Sequence, residues 1–487
     1  MSEQNKKGPN GKKFTRRDFL KVGALSPLAL SPLLYGSNAN GRPSQKVNTS
    51  RGEAKNIIFM VSDGMSSGTM TLADLVKHRQ HGEQTHWINL YNSDRTFHRG
   101  LMDMASLDSP VTDSAAAASS WGCGQRINNG AVNMGPDDEE YPTILQIFKE
   151  AGKKTGLVST ARITHATPAG FGINMRSRNM EDEIAAQYLD REYDLLMGGG
   201  ARHFDADQRK DGRDLFQAFA EKNYAVARTK QEIQEAGDER LIGLFFDSHL
   251  PYTTDHRSSE EYRENVPTLA EMTGKALDLL ENDSGFILQV EGGRVDHGAH
   301  ANDAAGMIYD QIAFDDAIKV ALDFVEDRDD TLLIITTDHG NANPGLNGAG
   351  SGYTDAGPML DRLHDFRHTN TWILSELDDM SSIRTIRERI EYATGIGVQQ
   401  DEARMLRDAL REDFTTPYKV RNSPSAVIAS ILANYTSVNF IGSVHTADYI
   451  ELAALGPGIE TLDNFTRNTE LFDLMVETAG VAEYAAG

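Results

Sequence analysis

Six short apolar runs punctuate the chain. Residues 56–61 (NIIFMV) form the first, an unbroken stretch of the kind that is buried on both faces of a sheet. The others lie at 155–159, 195–197, 244–246, 285–290 and 332–336. Between several of them apolar positions recur at helical spacing, over 143–151, 267–281 and a long 301–326. This alternation predicts an α/β fold with a mainly parallel central sheet sandwiched by helices. In such sheets a ligand sits beyond the carboxyl ends of the strands. Asp63 falls just after the first run, Glu291 after the fifth and Asp338-His339 after the sixth. Polar groups from three distant parts of the chain are thus expected along one edge.

The rhythm fades over residues 341–439, where Gly, Asp and Arg are frequent. That segment reads as an insertion between two strands within one domain spanning 40–487. The first 39 residues read differently again. A basic stretch, KKFTRRDFLK, precedes an apolar run over 22–35, and Ser37-Asn38-Ala39 offers small residues for cleavage after Ala39. Arg16-Arg17 followed by Asp-Phe-Leu-Lys resembles a twin-arginine export signal, which implies a periplasmic or extracellular protein. A membrane anchor fits poorly, because the run is short and contains Pro27 and Pro32.

Composition sharpens the picture. Of 487 residues 39% are hydrophobic, enough for a large core. With 48 Lys+Arg against 72 Asp+Glu the net charge is −24, and loss of the basic leader brings the mature chain near −29. Such a surface argues against nucleic acid and anionic membrane as partners. An anionic substrate would need bound cations to make a local positive site. The single cysteine, Cys123, permits no intrachain disulfide.

Three segments carry candidate chemistry. Ser114 precedes the helix-forming run Ala115–Ala118. A serine there is ordinarily an N-cap, but orphan N–H groups and the helix dipole would also favour an alkoxide and a phosphate. Asp296 and His300 are four apart, so one helical turn puts both on one face, as zinc requires, although a surface ion pair has the same spacing. Asp338-His339 at a strand end suits a hydrolytic metal site or a loop cap.

Taken together, these segments resemble the alkaline phosphatase family over nearly all of the mature chain. Asp63-Gly64 matches the metal-binding pair after the first strand. Asp113-Ser114-Ala115 matches the nucleophile motif. Thr167, within Ala-Thr-Pro-Ala, matches the magnesium-site threonine, and Arg178 (with Arg176 as rival) the phosphate-clamping arginine. Glu291, Asp296, His300, Asp338, His339 and His445, the last within Gly442-Ser-Val-His445-Thr446, match the remaining ligands. The resemblance implies an alkaline phosphatase-like fold with a crown-like insertion, a homodimer, and two Zn2+ and one Mg2+ per chain. One zinc would take Asp296, His300 and His445, and the other Asp63, Asp338 and His339. Magnesium would take Asp63, Thr167, Glu291 and waters. His165 and His297 fall at two variable positions beside the magnesium, as hydrogen-bonding neighbours; imidazole suits zinc better than magnesium.

Charge favours phosphate monoesters as substrates. Asp63, Glu291, Asp296 and Asp338 cannot stay ionised together without cations. Three divalent ions and Arg178 would leave three positive charges, which a monoester dianion and a Ser114 alkoxide cancel. A diester matches less well. The implied reaction is hydrolysis of a phosphate monoester through a phosphoserine; a diesterase or sulfatase of the same superfamily and a metal-loaded binding protein are the alternatives. Other signals carry little: 195–201 lacks a complete phosphate-loop pattern, Asp205 and Asp207 lack a calcium-loop pattern, and His364 and His368 read as surface.

Overall fold

The computed structural model describes residues 53–237, 240–348 and 353–486. The export-signal reading over 1–39 therefore lies outside the described residues. Fourteen strands are named β1 to β14 in chain order. β1 (Asn56–Ser62), β2 (His98–Asp103), β3 (Lys154–Arg162), β4 (Leu195–Gly199), β5 (Tyr224–Ala227), β6 (Arg240–Leu244), β7 (Phe286–Glu291) and β8 (Thr331–Thr337) precede two short pieces, β9 (Gly340–Asn341) and β10 (Pro344–Leu346). After a helical segment come β11 (Val438–Phe440), β12 (His445–Thr446), β13 (Ile450–Leu455) and β14 (Phe465–Arg467).

Ten strands form one sheet in the order β14-β2-β13-β8-β1-β7-β3-β4-β6-β5. β13 runs antiparallel to both its neighbours, β8 and β2; the remaining strands share one direction. β1 lies at the centre between β7 and β8. Its side chains alternate as the pleat demands. Ile58 and Met60 enter the core on one face, and Ile57, Phe59 and Val61 the core on the other. Helices Leu269–Leu280 and Ala304–Phe324 cover the first face; Ser114–Cys123, Ala166–Gly172 and Glu181–Arg191 cover the second.

Differences from the sequence reading lie towards the sheet's flanks. The run at 244–246 overlaps β6 only at Leu244; beyond the strand's end Phe245 N–H still donates to the Gly198 carbonyl, and the Phe246 carbonyl accepts from Gly200 and Ala201. β2, β5, β13 and β14 carry no legible run. β2 alternates buried and solvent-facing positions, and β14 spans three residues.

Over 341–439, β9 pairs with β12 and β10 with β11, so the two ends of the segment are held side by side. Its helices place Leu363, Ile386, Ile390, Leu406, Ile428 and Leu432 in the same core as Ile58 and Met60.

Candidate active site and metal centre

Strand register assembles the site. Val61 pairs with both Glu291 and Thr336, and Ser62 with Thr337, so Asp63, Glu291 and Asp338 emerge side by side from three adjacent strands. Asp63, Glu291 and Asp338 are fully buried. Gly64, at φ 69°, lets the chain turn here, and a side chain on it would collide with Asp296.

The Ser114–Cys123 helix brings in the hydroxyl. Asp113, not Ser114, is its N-cap, accepting from Ala116 N–H at 3.0 Å. Ser114 is thus the first helical residue, freed from the capping role that its sequence suggested. It is 1% exposed, with Oγ 3.3 Å from His339 Nε2.

Three groups of donor atoms lie here, one of them containing His339, the atoms of each lying within 4.8 Å of one another: Asp296/His300/His445, Asp63/Asp338/His339 and Asp63/His165/Glu291. In the first, His300 Nδ1–H donates to Ser443 carbonyl (2.8 Å) and His445 Nδ1–H to Thr112 carbonyl (2.9 Å). The two Nε2 atoms then lie 3.0 Å apart beside Asp296, which, against the effect of burial, raises His300 to about 9. A proton or a metal cation can fill the space between them. Rings of His339 and His445 stack at 3.6 Å, which sets the first two groups against each other.

The buried polar atoms argue the same way. Asp63 Oδ1, Glu291 Oε1, Asp338 Oδ2 and His339 Nδ1 have no hydrogen-bond partner. Burial, then Asp338 and Asp296, push the Asp63 carboxyl well above its usual range. Burial chiefly raises Glu291 and Asp338 to about 7 each. Protein groups alone leave these carboxylates uncompensated, which is the environment of a divalent-cation site.

Thr167 Oγ1 lies 3.5 Å from Asp63 Oδ2, and the Ser159 hydroxyl donates to Glu291 Oε2. Arg178 donates from Nη1 to Asp113 Oδ2 (2.9 Å) and from Nη2 to His165 Nε2 (3.1 Å). A guanidinium only donates, so His165 Nε2 is an acceptor and its proton sits on Nδ1. His165 also belongs to the third donor group, and its buried Nδ1 finds no hydrogen-bond partner among the described residues. Each Nη keeps one further N–H, a pair suited to two phosphate oxygens. Arg176 turns away, 70% exposed and paired with Asp138. His297 accepts from Arg294 and packs its ring 4.1 Å from that of His249.

The chain belongs to the alkaline phosphatase family. The family model for alkaline phosphatase matches residues 54–481. Alkaline phosphatase 4 of Bacillus subtilis is 30% identical over 476 residues, covering 94% of this chain and 97% of its own. Alkaline phosphatase of Escherichia coli is 32% identical over 333 residues, covering 60% of this chain and 71% of its own. The crystal structure of Thermus thermophilus alkaline phosphatase superposes with a TM-score of 0.84 at 33% identity, covering 91% of this chain and 95% of that one. The protein is accordingly an enzyme of the alkaline phosphatase class, metal-dependent and acting on phosphate monoesters.

Within this alkaline phosphatase site several residues were not legible in the sequence. Asn341 donates to Asp296 Oδ1 at 2.7 Å, Gln289 to the Thr167 carbonyl at 3.1 Å, and His249 lies against both His165 and His297. Gln289 and Asn341 stand in the segments that carry Glu291 and the Asp-His pair, but nothing there singled them out, and His249 lies in no recognised motif. A fourth donor group, His86/Asp315/Asp316, is not a metal site: Lys77 Nζ, 2.8 Å from Asp315, supplies the positive charge there. The Cys123 thiol, pushed up to about 12 by burial, is inert. His368 pairs with Asp255, and no donor group among the described residues includes it or His364.

Proposed function

We propose that the enzyme hydrolyses phosphate monoesters through a phosphoserine on Ser114, with two Zn2+ and one Mg2+ per chain. The observation that carries this reading is the Ser114 hydroxyl at a helix N-terminus, 3.3 Å from His339, a member of one of the three donor groups. Asp296, His300 and His445 would hold one zinc; Asp63, Asp338 and His339 the other; Asp63, Thr167 and Glu291 the magnesium. Bound divalent cations supply the positive charge that favours a Ser114 alkoxide and offsets charge on the phosphoryl and leaving oxygens. Ser114 Oγ attacks phosphorus in line; an Oγ–P bond forms and the ester P–O bond breaks, releasing the alcohol. Water then attacks the same phosphorus, returning Ser114 and inorganic phosphate. Arg178, held by Asp113 and His165, binds two phosphate oxygens throughout.

The test compares p-nitrophenyl phosphate with bis-p-nitrophenyl phosphate, zinc and magnesium present. Faster release from the monoester supports the reading. A diester preference would assign the site to a phosphodiesterase, and release from neither would reject hydrolysis.

Arg16-Arg17 supports export by the twin-arginine route to the periplasm or beyond, which an enzyme without disulfides tolerates. No helix among the described residues is long and apolar enough to cross a membrane. Homodimerisation fits the exposed apolar side chains Leu101, Ile441, Tyr449 and Phe465; sedimentation at twice the monomer mass is expected.

A further inference from the structure

Two segments bring phosphate-facing groups to the site from the same side of the sheet. One follows β3 and carries His165 and Thr167; the other carries Arg178 and leads into the Glu181–Arg191 helix. Glu181 joins them. Its carboxylate accepts both prongs of the Arg162 guanidinium, from Nη2 at Oε1 and Nε at Oε2, each at 2.7 Å. The same Oε2 accepts from the Thr164 hydroxyl at 2.6 Å and lies 3.3 Å from His203 Nε2. Arg162 also touches His249 with its remaining prong, and the His249 ring packs on His165 and His297.

Glu181 and Arg162 are mostly buried, with 13% and 15% of their side chains exposed, and the ion pair is bidentate. Their geometry is therefore stiff. Thr164 is adjacent to His165, and Glu181 lies three residues after Arg178. His165 in turn takes the Nη2 prong of Arg178 at 3.1 Å. Tension or slack in the clamp thus reaches Arg178 twice, through its own chain and through His165.

We propose that Glu181, with Arg162, is a positioning residue for phosphate binding, holding His165 and Arg178 at the separation that aims the guanidinium at phosphate. It touches no substrate. The inference rests on Arg178 as the phosphate clamp. Partners that orient a binding group in this way commonly change affinity or activity by about 10- to 100-fold when removed.

The experiment measures competitive inhibition by inorganic phosphate, and KM and kcat for p-nitrophenyl phosphate, with zinc and magnesium saturating. Glu181→Gln keeps the shape and loses the charge. Its Ki for phosphate is expected to rise about 10-fold, with KM rising more than kcat falls. Arg178→Ala should raise Ki too, and adding Glu181→Gln to it should change Ki no further. Arg162→Lys, which keeps the charge but loses the fork, should shift Ki in the same direction by less, and decides the matter if Glu181→Gln does not fold. A raised Ki in Arg178→Ala with an unchanged Ki in Glu181→Gln would overturn the clamp alone. So would the same multiplicative loss in both backgrounds, which is the mark of a merely structural ion pair. An unchanged Ki in Arg178→Ala would overturn the Arg178 reading and the clamp with it.

Discussion

Ser114 can act as a nucleophile because its neighbour takes the structural role. Asp113 caps the helix through one oxygen and holds Gly130 N–H and Arg178 through the other. The serine hydroxyl is left facing His339, with the helix N-terminus behind it. Ser114→Ala removes the attacking oxygen and no cap. Turnover of p-nitrophenyl phosphate should fall by more than about 10³-fold while the melting temperature changes little. Near-normal turnover in that variant would reject the phosphoserine route.

At the scale of elements, two helix crossings matter. The Ser114–Cys123 helix packs on Ala166–Gly172, which carries Thr167, and Gly122 and Gly170 make the approach possible. A side chain on Gly122 would strike the Gly170 carbonyl. Gly122→Ala should therefore separate the helices, lower stability by about 1–3 kcal/mol and reduce kcat, measured by denaturant unfolding and assay. A second junction is electrostatic. Glu192 ends the Glu181–Arg191 helix and accepts from Lys222 at 2.5 Å, before β5, and from Arg240 at 2.9 Å, on β6. Lys222 and then Arg240 hold its carboxyl down to about 2. A depressed folded-state value means stability present above the unfolded value of about 4.3 and lost as pH falls towards 2. Because the pair is 35% exposed, its contribution is less than about 1 kcal/mol. Glu192→Gln should lower the melting temperature slightly at pH 7, and the gap to the parent protein should narrow by pH 3. A gap that widened in acid would contradict the assignment.

For the whole molecule, the site is also a stability device. Asp63, Glu291 and Asp338 are fully buried, with oxygens that find no protein partner. Cations that bind the folded state compensate them, so chelation should lower the melting temperature by more than about 5 °C and abolish activity. Zinc and magnesium together should restore both; a melting curve indifferent to chelator would count against the metal centre.

The central strands β1, β7 and β8 were legible as apolar runs, and the residues at their ends as candidate chemistry. Both follow from local rules: a strand buried on two faces must be apolar throughout, and a ligand must be Asp, Glu, His or Thr. Residue order also carried the family motifs, and with them Ser114, Asp296, His300 and His445. The family motif favoured Arg178 over Arg176, and the tertiary structure shows what the motif could not, that Arg178 reaches Asp113 and His165 while Arg176 pairs with Asp138. The tertiary structure alone assigned Asp113 the cap, ended β6 at Leu244, placed β13 antiparallel, and set Asn341 on Asp296 and Glu181 on Arg162. Each of these depends on which distant segments lie side by side, and a pairing energy between segments leaves no trace in the composition of either one.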